Sequence, residues 1–317
     1  MDAVIETHEL CKRYRGHQAL RGIDLSVPRG TVLGLLGHNG AGKTTTVRIL
    51  ATLQQPDSGK AFVAGYDVTR RPREVRRRIG LTGQFAAVDA QLTGFENLVL
   101  LGRLQRLNVR DARKRASELL ERFELTAAAS RPAATYSGGM RRRLDLACSL
   151  VITPTVLFLD EPSAGLDPTS RNLLWAEIRN QVAAGVTVLL TTQYLEEADQ
   201  LADRIVLLDS GEVVAEGAPS DLKRKVGGEW LGISLVDPAD LPTARRALSR
   251  GLPAPDVDEA SGSLSIPITD TMSTVATAAA ALRDSGVAVA DFAVRRPSLD
   301  DVFFSLTGKA ARKDPPA

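Results

Sequence analysis

The sequence predicts an α/β fold carrying a helical insertion, followed by a smaller α+β module. Three observations lead there. The stretch Gly37-His38-Asn39-Gly40-Ala41-Gly42-Lys43-Thr44-Thr45 lies between an apolar run, Val32 to Leu36, and a helical pattern from Thr44 to Leu53. It fits G-x-x-x-x-G-K-[ST] in the context that gives the pattern meaning: buried strand, glycine loop, helix. A second apolar run, Thr155 to Leu159, ends in two adjacent carboxylates, Asp160 and Glu161. Between the two runs, from Thr93 to about Thr135, strand signals stop and leucines recur at helical spacing: Leu98, Leu101, Leu104 and Leu107, then Leu119 and Leu120 beside Ala116 and Phe123.

A chain of 317 residues is long enough for two domains, the first larger. Its hydrophobic content of 44% and charged content of 25% are those of a globular protein. The net charge of +2 gives no global reason to expect nucleic acid as a partner. Arginine clusters twice, at Arg70, Arg71, Arg73, Arg76, Arg77 and Arg78, and again at Arg141 to Arg143, and both runs read as solvated helix faces. Cys11 and Cys148 have no metal-ligand spacing and read as buried thiols in a reducing cytosol. No apolar stretch approaches the roughly 20 residues needed to span a bilayer, so any membrane role falls to a partner.

In chain order, Val4 to Thr7 and Leu20 to Val27 read as strands of an N-terminal sheet separated by a basic segment holding Tyr14. An aromatic ring there either stacks on a purine or is an ordinary amphipathic loop residue. In the glycine loop, backbone N–H groups converge on one anion and the helix that follows adds its positive end. Lys43 then reaches the β- and γ-phosphates, and the Thr44 hydroxyl ligates Mg²⁺. Pro56 to Gly59 ends that helix, Lys60 to Ala64 returns as a strand, Pro72 to Arg78 is a basic helix, and Ile79 to Thr82 is a strand delivering Gln84 into a loop. A neutral amide at that place binds Mg²⁺ or water without bringing charge, or is simply a loop residue.

Tyr136-Ser137-Gly138-Gly139-Met140 precedes a helix, with Ser137 as N-cap and two glycines exposing N–H groups, which makes a second anion-facing helix end. One nucleotide in one loop has no need of it, and pairing of two copies head to tail would use it. Asp160 is placed to hold Mg²⁺ through water and Glu161 to orient or deprotonate an attacking water; two acids ending a buried strand are costly unless something uses them. Gly165-Leu166-Asp167-Pro168 caps a helix through about Ala184, Val186 to Thr191 is a central strand, and Gln193 follows at the same rim as Asp160. Leu195 to Ala202 is an acidic helix, and Ile205 to Asp209 with Glu212 to Ala215 a hairpin.

In this order the motifs from about Val4 to Lys225 resemble those of the ABC transporter ATPase family. The resemblance implies a P-loop NTPase with a RecA-like core, an N-terminal antiparallel sheet and a helical subdomain at about 93–150, all within 1–226. It implies ATP and Mg²⁺ as cofactors, with Tyr14 stacking adenine and Gln84 contacting Mg²⁺ and the attacking water. Ser137, Gly138 and Gly139, with Met140 after them, would face the γ-phosphate held by the opposite subunit, and Asp167 would contact the partner's site across the dimer. Two departures stand out. The signature has Tyr136 and Met140 where the family usually has Leu and Gln, so the amide contact at the fifth position is missing. Gln193 replaces the switch histidine; its amide hydrogen-bonds but takes no proton near neutral pH, which leaves Glu161 as the base.

Both departures are similar to the branch of daunorubicin/doxorubicin-type exporters. That resemblance implies an ATPase held peripherally at the cytoplasmic face of the membrane by a separate ABC-2-class permease, whose coupling helix would dock near Gln84 and the helical insertion. The competing class is an ABC ATPase acting on ribosomes or DNA with no membrane partner. Such proteins usually carry two ATPase domains or a long coiled-coil insertion, and here each motif occurs once and no heptads are sustained.

From 227 to 309 the pattern changes to an accessory module. Strands at Trp230 to Val236, Ser263 to Ile268 and Val287 to Val294, helices at Leu241 to Ser249 and Ser273 to Ser285, and a short strand at Asp256 to Glu259 give βαββαβ, a ferredoxin-like order. Pro297 to Phe303 resembles the end of the accessory domain of this exporter branch, with interaction or regulation as its role. Residues 310–317 read as a disordered tail.

Overall fold

The structure is a computed structural model and describes residues 3–83, 88–226, 228–258, 261–268 and 270–308. Two compact units divide the chain, one built on Met1–Pro219 and the other on Ser220–Ser305.

The first unit opens with β1 (Ala3–Tyr14) and β2 (His17–Pro28), an antiparallel pair joined by a tight turn. Next come β3 (Val32–Leu36), α1 (Lys43–Leu50), β4 (Ser58–Val63) and β5 (Tyr66–Asp67). Strands β2, β1, β4 and β5 form one antiparallel sheet in that order. α2 (Pro72–Arg76) and β6 (Ile79–Thr82) lead to the helical insertion, whose helices are α3 (Gly94–Leu104), α4 (Val109–Arg122) and α5 (Gly138–Ser149). The insertion begins at Thr93 because that residue makes a capping box: its hydroxyl accepts the Glu96 N–H while the Glu96 carboxylate accepts the Thr93 N–H.

The chain then returns to the sheet through β7 (Val156–Asp160), α6 (Pro168–Ala183), β8 (Thr187–Thr192), α7 (Leu195–Leu201), β9 (Arg204–Asp209) and β10 (Glu212–Gly217). The central sheet has the order β10-β9-β3-β8-β7-β6, parallel except for β10. Its inner strands β3, β7 and β8 are buried at every position because both faces of the sheet are covered there. Along β7, Val156 and Phe158 join the core shared with α1 and the antiparallel sheet, while Leu157 and Leu159 join the core shared with α3 to α6. Full burial of Phe158 contributes on the order of 1.5–3 kcal/mol.

After α8 (Pro219–Val226), the second unit consists of β11 (Trp230–Leu235), α9 (Leu241–Leu248), β12 (Asp256–Asp258), β13 (Ser263–Pro267), α10 (Thr271–Asp284) and β14 (Val289–Arg295), followed by α11 (Leu299–Thr307). Its sheet is antiparallel in the order β12-β13-β11-β14, the ferredoxin-like arrangement. Leu231, Ile233, Leu264 and Ile266 pack on Ala244, Leu248, Ala278 and Leu282 of the two long helices. Of the alanine-rich stretch Val275 to Leu282 in α10, Ala278 and Leu282 are buried while Ala276 and Ala279 are exposed. The helices α8 and α11 were not anticipated; α11 begins at a second capping pair, Ser298 with Asp301.

Two sequence expectations need correction. Cys11 and Cys148 are only partly buried, although burial still pushes the Cys148 thiol up to about 12, with Asp145 adding to the effect. The second arginine run is no solvated face: Arg141 is exposed, but Arg143 bonds the Phe123 carbonyl and Arg142 turns into the molecule. The first run is mostly solvated; Arg77 and Arg78 both pair with Glu74, at 3.3 and 3.0 Å, and Arg78 also stacks on Tyr66 at 4.3 Å.

Candidate functional site

The glycine loop leaves β3 at Leu36 and re-enters regular structure at Lys43. Its path requires glycine at two points. A Cβ on Gly37 would stand 2.4 Å from the Leu208 carbonyl oxygen, and at Gly42 the backbone has φ 111° with Leu20 in the way of any side chain. Gly42 is also the N-cap of α1, so no capping side chain satisfies the first-turn N–H groups. Those donors face outward as an anion site. His38 fastens the loop from behind, its Nε2 2.6 Å from Asp209 Oδ1, and Gly211 donates its N–H to Ala41.

Lys43 is 4% exposed, and its Nζ donates to the Gly37 and His38 carbonyls at 2.7 and 3.2 Å, arching over its own loop. Glu161 Oε1 lies 3.9 Å away. Burial pulls the lysine pKa down, while the Glu161 and Asp160 carboxylates oppose that shift. An anion arriving above the loop would complete the compensation.

Asp160 is the register partner of Thr191 where β7 runs beside β8. Its Oδ1 accepts from Thr191 Oγ1 at 2.5 Å and from Thr44 Oγ1 at 3.1 Å. A threonine hydroxyl and a carboxylate converging in this way are hard oxygen donors, which suit Mg²⁺ held jointly with phosphate oxygens and water. Glu161 turns off the strand end with φ 50°, a left-handed backbone that is uncommon for a side chain of this kind. Its N–H donates to the Thr191 carbonyl at 3.0 Å, with Thr191 Oγ1 at 3.1 Å.

A cleft of about 380 Å³ runs from Tyr14 and His17 across Asn39, Gly40 and Gly42 to Lys43, Thr44, Thr45 and Glu161. Tyr14 ends a strand rather than sitting in a loop; it is partly exposed and its hydroxyl bonds Gln54. His17 and Ala19 also line the cleft and were missed, since nothing in their local sequence marks them. Gln193 is half-buried, just beyond β8 at the carboxyl end of the sheet. Gln84 lies outside the described residues.

Ser137, Gly138, Gly139 and Met140 are elsewhere in the unit, outside the lining of that cleft. Ser137 caps α5, accepting the Met140 N–H at 3.2 Å, and both Ser137 and Gly138 are exposed. Tyr136, in the place where the related motif has leucine, is buried and donates its hydroxyl to the Ala128 carbonyl at 2.8 Å. A Cβ on Gly94 would stand 2.2 Å from that hydroxyl, so the tyrosine locks the start of α5 against the start of α3. Asp167 caps α6 by accepting from the Ser170 N–H and hydroxyl at 2.9 and 2.6 Å, which holds its carboxyl below the usual range. Ser170 in turn abuts Gly139, where a Cβ would meet its Oγ at 2.7 Å.

A geometry of this kind defines a class, the P-loop nucleoside triphosphatases. Comparison with known proteins narrows it. The ABC transporter family model matches residues 20–164. The daunorubicin resistance ATP-binding protein DrrA2 of Streptomyces coeruleorubidus is 55% identical over 298 residues, 94% of this chain and 92% of that protein. The Nod factor export ATP-binding protein I of Ralstonia nicotianae is 38% identical over 311 residues, 98% of this chain and 95% of that protein. Among solved structures, an ATP-binding cassette in a dimeric post-hydrolysis state with ADP and Pi matches with a TM-score of 0.63 at 25% identity, covering 68% of this chain and 98% of that one. The chain belongs to the ABC transporter family, as an ATP-binding subunit, and it is an ATPase.

Proposed function

We propose that this chain drives export of a hydrophobic drug-like or lipid-like compound through a separate membrane permease of the ABC-2 class, working as a head-to-tail dimer. The observation that carries the dimer is the exposed start of α5. Ser137 and Gly138 present an anion-facing helix end that the chain's own cleft does not include. A second copy brings its cleft to that end. The permease follows from the relatives, both named for resistance or export, and from the absence among the described residues of a helix long and apolar enough to cross a membrane. A ribosome- or DNA-acting role is not favoured. The location is then the cytoplasmic face of the membrane, through the permease.

In this reading Tyr14 stacks the adenine, the loop from Gly37 to Thr45 wraps the phosphates, and Lys43 leaves its loop carbonyls for the β- and γ-phosphate oxygens. Thr44 and Asp160, with Gln84, would hold Mg²⁺, which when bound neutralises phosphate charge. Glu161 accepts the proton of the attacking water, and Gln193 orients the γ-phosphate or the water by hydrogen bonding. The partner's Ser137, Gly138 and Gly139 close the site, with Met140 supplying backbone but no amide side chain. Asp167, held deprotonated by Ser170, lies beside that closing surface. Residues 227–309 act in interaction or regulation.

Affinity purification of the tagged chain from gently solubilised membranes tests the transporter reading: a permease is expected to copurify, and recovery with ribosomes or DNA-bound proteins alone would overturn it. Ser137→Arg tests the shared site. The variant is expected to bind ATP with unchanged affinity while steady-state hydrolysis stops, and full hydrolysis would rule out the head-to-tail dimer.

A further inference from the structure

The side chain that organises the Glu161 turn comes from the helical insertion. Arg142, one turn into α5, points away from solvent, and four of its five N–H groups are spent on backbone carbonyls. Nε donates to Pro162 O at 2.8 Å, Nη1 to Gly83 O at 2.6 Å, and Nη2 to both Asp160 O at 3.1 Å and Glu161 O at 2.8 Å. Asp145 Oδ2 stands 3.6 Å from Nη1. Burial lowers the pKa of the guanidinium, whereas the Asp145, Glu197, Asp160 and Glu161 carboxylates raise it, and it remains a cation.

Three consecutive residues, Asp160 to Pro162, are therefore gripped by one planar fork. Glu161 is gripped at both ends: its carbonyl by Arg142, its N–H by Thr191. That matters because its φ of 50° is sustained only if the surroundings over-determine it. The same fork holds Gly83, whose next residue is Gln84.

We infer that Arg142 is a positioning residue for hydrolysis: it keeps the Glu161 backbone in its left-handed turn and so aims the carboxylate at the attacking water. It touches no substrate; it acts through Glu161. The requirement is for arginine itself, since lysine has three donors on a flexible stem and glutamine two, and neither spans four carbonyls in one plane. Because Arg142 belongs to the helix begun by Ser137 and Gly138, displacement of that helix reaches Glu161 through a single side chain.

The inference rests on the reading of Glu161 as the base, and the test separates the two. In the full-length protein, Arg142→Gln is expected to lower kcat about 10- to 100-fold, as a misplaced catalytic group does, with ATP affinity within about threefold. Arg142→Lys is expected to fall between, restoring part of the rate. In a Glu161→Gln background, single-turnover measurement is expected to show that adding Arg142→Gln costs less than about twofold, because two residues acting as a unit do not add. Unchanged kcat in folded Arg142→Gln would overturn the inference, as would the same proportional loss in both backgrounds. If the glutamine variant does not fold, Arg142→Lys is read by the same criteria. Undiminished turnover in Glu161→Gln alone would overturn the base assignment as well; lost turnover there with full turnover in Arg142→Gln would overturn this inference only.

Discussion

Replacing Glu161 by glutamine is expected to slow ATP hydrolysis by about 10²- to 10⁴-fold while leaving the nucleotide bound. Glutamine has the same length and fits the same turn, so the N–H bond to Thr191 and the carbonyl bond to Arg142 survive. What disappears is the carboxylate that lines the cleft 3.9 Å from Lys43, and Gln193 at the sheet rim cannot replace it as a proton acceptor near neutral pH. Removing a negative charge 3.9 Å from Lys43 also favours an incoming polyphosphate. The variant should therefore accumulate as an ATP-loaded dimer, seen as a shift in molecular mass by light scattering when ATP is added. Rapid turnover by this variant would mean that the water is activated elsewhere.

The second large effect is on binding. Lys43→Ala is expected to weaken ATP binding by about 100-fold or more, through loss of charge-assisted hydrogen bonds to phosphate, as read by titration calorimetry. The free protein responds with the opposite sign. Burial lowers the Lys43 pKa below 10.5, so in the window beneath that value the unfolded chain binds more protons at this group than the folded one. Stability from this group is complete above 10.5 and is lost as pH falls through the lowered folded value. Comparing urea denaturation of the two proteins across that range should show the wild type gaining stability relative to the alanine variant as pH rises. Retained ATP affinity in the variant would mean that the loop is not the cradle.

The parts of this molecule that were legible beforehand are those whose cause is local. The strand, loop and helix around Lys43 announce themselves because glycine spacing and apolar runs are read along the chain. The accessory module was readable in outline because its strands and helices differ in period. What stayed hidden depends on partners far away in sequence. β1 was expected to end at Thr7 yet runs to Tyr14, because Glu9 takes φ 47° and breaks the pairing register between Thr7 and Leu10, which scrambles the alternation of inward and outward residues. Arg142 looked like its neighbour Arg141. Its carbonyl partners lie 59 residues before it and 18 to 20 after it, and only the folded chain brings them together. His17 reached the cleft through the hairpin turn, again without a local mark.

The left-handed turn at Glu161 also bears on how this protein would answer to selection in the laboratory. A non-glycine residue held there costs about 1–3 kcal/mol, a noticeable share of the roughly 5–15 kcal/mol by which a typical domain stays folded. Glycine would adopt the same conformation freely. A library sorted for heat tolerance alone would therefore drift toward glycine at position 161 and return sturdier, idle proteins. The frailty at that point and the ability to hydrolyse ATP have one origin, and any attempt to harden the molecule has to leave it in place.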